Sequence, residues 1–290
     1  MQLDPQRSEV VDTVLSTYLA SHPDLSERWL LEQTIYTAGS WRSVLQFLNI
    51  QPGWQVLDIG TGFGVVPMEL AGQVAVNVVG VDADEATLVV ARQLEALLAW
   101  EGHFEGRGTV EFRDGDVYKL PSEDSQFDLS MARLVFQHLD DPGAAAEELL
   151  RVTRPGGFVC VVDVDDQFNI VYPEGSNAFD RLHKAYLQQR IAVSNDRNVG
   201  RKLSTILETA GFEIVAAVVW PQAQHGPAQA GSLARQFDTE RLRSARDDIV
   251  VAGLMSAEDF DECLDLYATE DFAAQFSCSA QVVAVGRRPS

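Results

Sequence analysis

The spacing of hydrophobic positions changes near residue 50 of the chain. Before that point, apolar residues recur over residues 10–48 at the three- and four-residue spacing that predicts helices. After it come short apolar runs that predict buried strands, at residues 55–59, 78–81, 110–112, 127–131, 158–162 and 212–219. Helical patterns lie between these runs, at residues 85–100, 143–152 and 200–210. This alternation predicts an α/β fold in which helices cover both faces of a mostly parallel sheet.

Two segments interrupt the alternation. Residues 166–198 are too long for a simple crossover and include a helical stretch at residues 178–191. Residues 221–258 are rich in Gln, Ala, Gly and Arg and have little periodicity, so they are predicted to be irregular. Long irregular insertions in a compact domain usually form lids or binding loops. We therefore expect two lids.

The chain closes with an amphipathic helix at residues 257–268 and an apolar strand at residues 281–285. The predicted organisation is a helical N-terminal cap over residues 1–50, followed by one domain over residues 51–290 that carries both insertions.

A glycine-rich turn follows the first predicted strand. Residues 56–64 read Val-Leu-Asp-Ile-Gly-Thr-Gly-Phe-Gly, and glycine lets a backbone turn sharply and approach a ligand closely. An ordinary β-α turn or a dinucleotide site has similar glycines, but the dinucleotide fingerprint is G-x-G-x-x-G. Asp58 precedes the glycines at the end of a buried strand, where an isolated carboxylate is costly. We expect it to meet a cation or backbone amides.

Two further acids follow the next predicted strands. Asp82 lies at the distance past the glycines where a carboxylate receives the ribose hydroxyls of a nucleotide. The alternative is that Asp82 caps the following helix, although Asp84 is better placed for that role. Asp116 follows the third strand, where it either accepts from an adenine amino group, with Val117 meeting a ring nitrogen, or is a solvated turn residue.

Taken in order, these motifs resemble the class I S-adenosylmethionine-dependent methyltransferases over residues 39–219. The resemblance includes D-x-G-x-G-x-G at residues 58–64, the acids Asp82 and Asp116, and an Arg-Pro-Gly-Gly turn at residues 154–157 that leads into a strand. It implies a Rossmann-like seven-stranded sheet whose last strand, residues 281–285, is antiparallel. One departure is Phe63, which stands where that family frequently has a small polar residue.

The resemblance also implies S-adenosyl-L-methionine as cofactor and a set of residues that bind it. The glycines would pass under its methionine part and ribose, Asp82 would hold the ribose, Asp116 and Val117 would contact the adenine, and the residues after the fourth strand would lie near its amino and carboxylate groups. The predicted cofactor-binding residues are Asp58, Gly60, Thr61, Gly62, Gly64, Asp82, Ala83, Asp116, Val117, Ala132 and Arg133.

Methyl transfer from a sulfonium is an in-line displacement that depends on proximity and exclusion of water. A base is therefore needed only when the acceptor atom carries a proton. His138, just past the fourth strand, is the predicted catalytic residue, although a role in holding its loop is the favoured alternative. The five histidines have no ligand spacing, and we predict no metal. Asp163, Asp165 and Asp166 could bind a cationic acceptor or a metal, but a solvated acidic loop is the favoured interpretation.

Composition narrows the classes of partner. With 22 Lys and Arg against 43 Asp and Glu, the formal net charge of −21 disfavours nucleic acid and anionic membranes. Three distant cysteines predict no disulfide framework and hence a cytoplasmic protein. The chain has no apolar run of the ~18 residues that a membrane span needs. The sequence is compatible with a homodimer and does not predict the oligomeric state.

The predicted function is methyl transfer to an O, N or C atom of a small hydrophobic or aromatic metabolite. Six aromatic residues carry the expectation about the acceptor, namely Tyr18, Trp29, Tyr36, Trp41, Tyr172 and Trp220. One alternative keeps the cofactor but replaces methylation by cyclisation or rearrangement, and another is a non-catalytic sensor of S-adenosylmethionine. A nicotinamide-dependent oxidoreductase is disfavoured, because no Tyr has Lys four residues on.

Overall fold

The computed structural model describes residues 2–172, 177–192, 196–228, 231–269 and 272–290. Three helices come first, α1 (Pro5–Ser21), α2 (Arg28–Tyr36) and α3 (Ala38–Phe47). The start of α1 follows from local chemistry. The Asp4 carboxylate accepts a hydrogen bond from the Gln6 amide at 3.0 Å, and Pro5 at the first helical position has no amide hydrogen to leave unpaired.

The described strands form a single sheet at the centre of the fold. Its strands are β1 (Gln55–Ile59), β2 (Asn77–Asp82), β3 (Thr109–Asp114), β4 (Phe127–Arg133), β5 (Thr153–Val164), β6 (Ile170–Tyr172), β7 (Glu213–Ala228) and β8 (Phe272–Arg287). The first five are parallel in the order β3-β2-β1-β4-β5. Strand β8 is antiparallel to β5, β6 and β7. The expected parallel sheet with an antiparallel last strand is therefore confirmed.

The described residues form eight further helices. They are α4 (Val65–Gln73), α5 (Glu85–Trp100), α6 (Pro142–Val152), α7 (Asn177–Ala192), α8 (Leu203–Ala210), α9 (Leu233–Ser244), α10 (Arg246–Val251) and α11 (Ala257–Thr269). Of these, α4, α5, α6 and α8 pack on the sheet. None of the helices in the described ranges is long and apolar enough to cross a bilayer.

The two faces of the sheet bury separate hydrophobic cores. Along β1, Val56 belongs to the core under α1, α3, α4 and α5, whereas Leu57 and Ile59 belong to the core under α6 and α8. Neighbouring strands repeat this alternation, because successive side chains of a strand point to opposite faces. Both layers exclude water from the central strands β1, β2, β4 and β5, which are therefore mainly apolar, whereas the edge strand β3 is mostly exposed or half-buried.

A partly buried ion-pair group connects the N-terminal helices α1 and α3 to α4, which packs on the sheet. Arg42 of α3 lies 2.8 Å from Asp12 of α1 and 2.9 Å from Glu69 of α4, a carboxylate with no exposed surface. The Ser8 hydroxyl donates a further hydrogen bond to Glu69. A buried charge is tolerated when it is paired and hydrogen-bonded in this way.

The helices α7, α9, α10 and α11 form a third, smaller core that does not involve the sheet. Its buried residues include Leu182, Tyr186, Leu242, Ile249 and Phe260. We call these four helices the helical group. Phe237 of α9 joins the group to α2, with its ring centroid 6.4 Å from that of Trp29 and 6.1 Å from that of Tyr36.

The structure differs from the sequence prediction in three places. The described residues contain eight strands rather than seven, because β6 continues the edge of β8 beyond the end of β5. Strands β7 and β8 have 16 residues each, so they extend well past residues 212–219 and 281–285. The expectation of irregular structure at 221–258 is wrong, since this segment continues β7 and then forms α9 and α10. Its helices are stabilised by packing on other helices, which weak periodicity does not reveal.

Candidate functional site

The strand order reverses direction between β1 and β4, near the middle of the sheet. The chain runs outward from β1 to β3 and then returns to place β4 on the other side of β1. The loops after β1 and β4 therefore diverge to opposite faces and leave a crevice at the carboxyl ends of these strands, which is where open α/β sheets bind ligands.

The glycine loop after β1 has left-handed backbone at all three glycines, with φ of 61° at Gly60, 53° at Gly62 and 70° at Gly64. A Cβ on Gly60 would lie 2.3 Å from Val135, and one on Gly64 would lie 2.3 Å from Phe112. A Cβ on Gly62 would meet no atom within 4 Å. The outer glycines are therefore required for packing, whereas Gly62 faces open space.

The Asp58 side chain, at the end of β1, stabilises the glycine loop. The carboxylate is 5% exposed and accepts a hydrogen bond from the Thr61 hydroxyl at 2.7 Å. Burial raises the pKa of Asp58 to about 7, although the Thr61 hydrogen bond and the positive charge of Arg133 oppose the shift. The expectation that this acid meets a cation is consistent with Arg133, which is 75 residues away in the sequence.

Asp82 binds the glycine loop from β2. One carboxylate oxygen accepts the Gly62 amide at 2.6 Å, and the other accepts the Asp84 amide at 3.0 Å. A carboxylate has about four lone-pair sites, so each oxygen can still accept from a ligand hydroxyl. The cap of α5 is Asp84, which accepts the Ala86 amide at 2.9 Å.

Arg133 ends β4 and lies between the sheet and the N-terminal helices. Its guanidinium donates to the Thr37 hydroxyl at 2.6 Å, while its Nε is buried without a hydrogen-bond partner. Burial lowers the pKa of Arg133 to about 10, and the nearby Asp58 and Asp163 favour its charged form. A buried guanidinium with an unmet donor is well suited to an anionic ligand group.

The loop after β4 is held by residues of β5 and beyond. Asp163, with no exposed surface, accepts the amides of Gln137 at 3.1 Å and Val164 at 2.8 Å. Burial raises the pKa of Asp163 to about 7 despite these hydrogen bonds. Arg197 then joins two loops, because it pairs with Asp166 at 2.8 Å and donates to the Gln137 side chain at 2.8 Å.

The acidic cluster after β5 is therefore structural, and the favoured interpretation as a solvated acidic loop is wrong. Asp163 holds the β4 loop, the buried Asp165 pairs with the half-exposed Arg201 at 2.5 Å, and Asp166 pairs with Arg197. Within the part of the chain that the structure describes, no group of three or more His, Cys, Asp or Glu side chains is arranged to hold a metal ion.

His138 ends a short 3₁₀ turn, Phe136–His138, in this same loop. Partial desolvation within the cleft, followed by the positive charges of Arg190 and Arg197, lowers the pKa of His138 to about 4. The imidazole is therefore neutral at pH 7. A group with so low a pKa is a weak base, but it is an effective neutral hydrogen-bonding group.

These loops surround a cavity of about 560 Å³. Its floor is formed by the carboxyl ends of β1, β2 and β4 with their loops, and its opposite wall is formed by α2 and the helical group. The wall contributed by helices comprises Glu27, Trp29, Leu30, Gln33, Thr34, Tyr186, Arg190, Arg241, Ser244, Ala245 and Asp248.

Seven of the twelve predicted site residues line this cavity, namely Asp58, Gly60, Thr61, Gly62, Asp82, Arg133 and His138. Gly64 instead forms the start of α4, and Ala132 is buried in the core under α6 and α8. Ala83 and Asp116 are exposed, and Asp116 accepts the Tyr118 amide of its own turn at 2.9 Å. Val117 is partly buried and packs against the core under α6 and α8. The ligand roles of all twelve residues remain predictions.

Sequence reasoning missed the helical side of the cavity. Arg190, Arg197 and Arg241 approach it from two different segments, and no local motif marks them. The predicted aromatic group does not assemble at the site. Of its six members Trp29 lines the cavity, whereas Tyr18 and Trp41 are core residues and Tyr172 is 74% exposed.

Comparison with known proteins agrees with this geometry. Residues 57–161 match the family model of a methyltransferase domain. The chain is 34% identical over 222 residues to an uncharacterised 37.1 kDa protein in a transposon of Streptomyces fradiae, covering 73% of this chain and 59% of the relative. It is 38% identical over 122 residues to an uncharacterised methyltransferase of Schizosaccharomyces pombe, covering 41% of this chain and 43% of the relative.

A solved structure shares the fold at low sequence identity. Phosphoethanolamine N-methyltransferase 2 of Haemonchus contortus, in complex with S-adenosyl-L-methionine, is 19% identical with a TM-score of 0.51, covering 87% of this chain and 53% of that protein. The chain thus spans less than two thirds of these relatives' lengths. Residues 57–161 thus match a methyltransferase domain, and the sheet order agrees with the class I S-adenosylmethionine-dependent fold that the motifs indicate.

Proposed function

We propose that the cavity binds S-adenosylmethionine and that the protein transfers its methyl group to a small molecule. One observation carries this proposal. The amides of the glycine loop, the carboxylate of Asp82 and the guanidinium of Arg133 come from three different strand ends, yet they line a single cavity.

Each group matches one part of that cofactor. The free lone pairs of Asp82 suit the ribose hydroxyls, and the open space beside Gly62 admits the ligand close to the backbone. Arg133, with its buried and unmet Nε, suits the methionine carboxylate.

The bound cofactor would supply a methyl group on a positively charged sulfur, which is a good leaving group. The protein's own contribution is then to hold the acceptor in line and to exclude water. Helix α2 and the helical group cover the cleft from above, and Trp29 and Leu30 give that cover an apolar inner surface.

His138 orders the acceptor end of the cleft in this proposal rather than removing a proton. Its pKa of about 4 makes proton abstraction weak, because an effective general base has a pKa near the working pH. The neutral imidazole can still hydrogen-bond an acceptor. The loop that carries it is fixed by Asp163 and Arg197.

The acceptor is proposed to be a small metabolite with an apolar or aromatic part. A cavity of about 560 Å³ lies in the usual range for small-molecule sites, roughly 300–1,000 Å³. Trp29, Leu134, Val135 and Tyr186 supply apolar contacts to such a ligand.

Calorimetric titration with S-adenosylhomocysteine, S-adenosylmethionine and NAD tests the cofactor assignment. We expect the first two to bind and NAD not to bind, and we expect Arg133→Met to weaken binding roughly 10- to 100-fold through loss of a charge-assisted hydrogen bond. Arg154→Met is the matched control, because Arg154 is a half-exposed arginine that pairs with Asp128 away from the cavity. Binding of NAD alone would contradict the proposal.

A second measurement tests the transfer itself. The protein is incubated with methyl-labelled cofactor and a metabolite extract, and small-molecule products are examined by mass spectrometry. A product that gains one labelled methyl group is expected. Conversion without methyl gain would favour cyclisation or rearrangement instead.

A further inference from the structure

Thr37, at the junction of α2 and α3, contacts the end of β4. Its hydroxyl accepts a hydrogen bond from the Arg133 guanidinium at 2.6 Å, although the two residues are 96 positions apart in the sequence. The same hydroxyl donates to the Gln33 carbonyl, one turn earlier on α2, at 2.7 Å. Because a hydroxyl has a single proton, this second bond turns its lone pairs towards the guanidinium. Thr37 is 8% exposed, so bulk water does not replace either contact.

Two buried contacts fix the position of Thr37 relative to the glycine loop. The indole of Trp41 in α3 donates to the Thr34 carbonyl of α2 at 2.9 Å, which joins the two helices across their junction. The next residue, Arg42, pairs with Glu69 of α4 at 2.9 Å, and α4 begins directly after the glycine loop. Trp41 and Glu69 are both buried. The junction is therefore attached to the layer that carries the glycine loop.

The Arg133 guanidinium has competing acceptors nearby. Two carboxylates, Asp58 and Asp163, are close enough to favour its charged form. Each is already hydrogen-bonded elsewhere, Asp58 to the Thr61 hydroxyl and Asp163 to amides of the loop after β4. A long arginine side chain that was free to change rotamer could pair with either acid, and it would then be withdrawn from a ligand. The bond to Thr37 uses Nη2 and leaves Nε without a partner.

The same contact connects the N-terminal helices to the cavity. Gln33 and Thr34, in the last turn of α2, line the cavity together with Arg133. Burial lowers the pKa of Arg133 to about 10, so its guanidinium is still positively charged at pH 7. A charged donor forms shorter and stronger hydrogen bonds than a neutral donor does. The Thr37 hydroxyl therefore holds a cation in one direction at the wall of the cavity.

We infer that Thr37 is a positioning residue, which holds the Arg133 guanidinium ready for the methionine carboxylate of the cofactor. The N-terminal helices then complete the cofactor site as well as packing on the sheet layer. Without the hydroxyl, the guanidinium has to be ordered when the ligand binds, and this ordering reduces affinity. The inference rests on the proposed function, since it concerns the residue to which that function assigns the carboxylate.

The test compares two ligands that differ in the methionine part. S-adenosylhomocysteine carries the amino and carboxylate groups, whereas methylthioadenosine keeps the adenosine and the sulfur but lacks both groups. Each ligand is titrated by calorimetry into the full chain. We expect Thr37→Val to weaken S-adenosylhomocysteine roughly 2- to 12-fold, the cost of ordering one long side chain on binding. Methylthioadenosine should bind this variant and the parent equally, because it has no group for Arg133 to hold.

Further variants separate positioning from packing. Thr37→Ser keeps the hydroxyl and should bind S-adenosylhomocysteine as the parent does. Thr37→Val added to Arg133→Met should cause no further loss, because the side chain that Thr37 positions is then absent. Thr209→Val is the matched control, since the Thr209 hydroxyl donates to the carbonyl one turn earlier on α8 at 2.7 Å and does not line the cavity. Circular dichroism and unfolding temperature establish that each variant is folded.

The inference is overturned if folded Thr37→Val binds S-adenosylhomocysteine as the parent does, if it weakens both ligands equally, or if it causes the same loss in the Arg133→Met background. A failure of the proposed function gives a different result, because the parent protein then does not bind S-adenosylhomocysteine. If the parent binds it and Arg133→Met weakens it, while Thr37→Val does not, the cofactor assignment stands and the positioning role of Thr37 is wrong.

Discussion

Replacing Asp82 with alanine removes the carboxylate that accepts the amides of Gly62 at 2.6 Å and Asp84 at 3.0 Å. Two interpretations of this acid give different results. If it holds the ribose, affinity for S-adenosylhomocysteine falls steeply. If it merely shapes the turn before α5, stability falls while affinity changes little.

The magnitude follows from the hydrogen bonds involved. A hydrogen bond to a charged group contributes about 1.5–3 kcal/mol. Loss of the ribose contact should therefore raise the dissociation constant about 10- to 150-fold, at 1.4 kcal/mol for each factor of ten. Because Asp82 is partly exposed and Gly62 lines the cavity, water can replace the lost protein contacts. We therefore expect the folding cost to be near the low end for a surface cap, about 0.5–1 kcal/mol.

The assay compares Asp82→Ala with Asp84→Ala, measuring the dissociation constant of S-adenosylhomocysteine and the free energy of unfolding for both. Asp84 caps α5 through the Ala86 amide, so its loss should cost about 1 kcal/mol of stability and change affinity less than tenfold. Parental affinity in Asp82→Ala, with a stability loss like that of Asp84→Ala, would refute the ribose assignment.

Two further predictions concern the glycine loop and the histidine. Gly62→Ala and Gly53→Ala both place an L side chain at positive φ with no atom within 4 Å, so each should lose about 1–2 kcal/mol of unfolding free energy. Gly62→Ala alone should weaken S-adenosylhomocysteine in calorimetry, and equal binding by both variants would make Gly62 a turn former. For His138, the folded pKa of about 4 lies below the unfolded value of about 6.5, so the unfolded chain binds the proton first as pH falls. The protonation of His138 therefore destabilises the folded state as pH drops from about 6.5 towards 4. Between pH 7 and pH 5, His138→Asn should lose less unfolding free energy than the parent does. An unchanged difference between the two pH values would contradict the shifted pKa.

The local features of the site could be predicted from the sequence because short-range chemistry dictates them. The motif at residues 58–64 combines an acid, glycines and a following apolar helix, and these features form the loop at which Asp58, Thr61 and Gly62 meet. The hydrophobic period of each segment likewise predicted α5 at residues 85–100, the bounds that the structure has. Asp84 as the cap of that helix follows from the same local rules.

Helices α9 and α10 could not be predicted in this way. The residues that stabilise α9 and α10, such as Leu242 and Ile249, are widely spaced among arginines and aspartates, so the segment has little periodicity of its own. These two helices are stable because they pack against α11 and against α7, which is distant in sequence. Strands β7 and β8 are long for the same reason, since each supplies the backbone partners of the other.

The sequence by itself determined the α/β alternation, the glycine loop and the acids that follow the first strands, because periodicity and turn chemistry act over a few residues. The tertiary structure alone decided which charges meet. It brought Arg133 to Asp58 and gathered Arg190, Arg197 and Arg241 around one cavity. The pKa values of His138 and Asp163 were decided there too, because burial and distant charges set them, and neither is encoded in neighbouring residues.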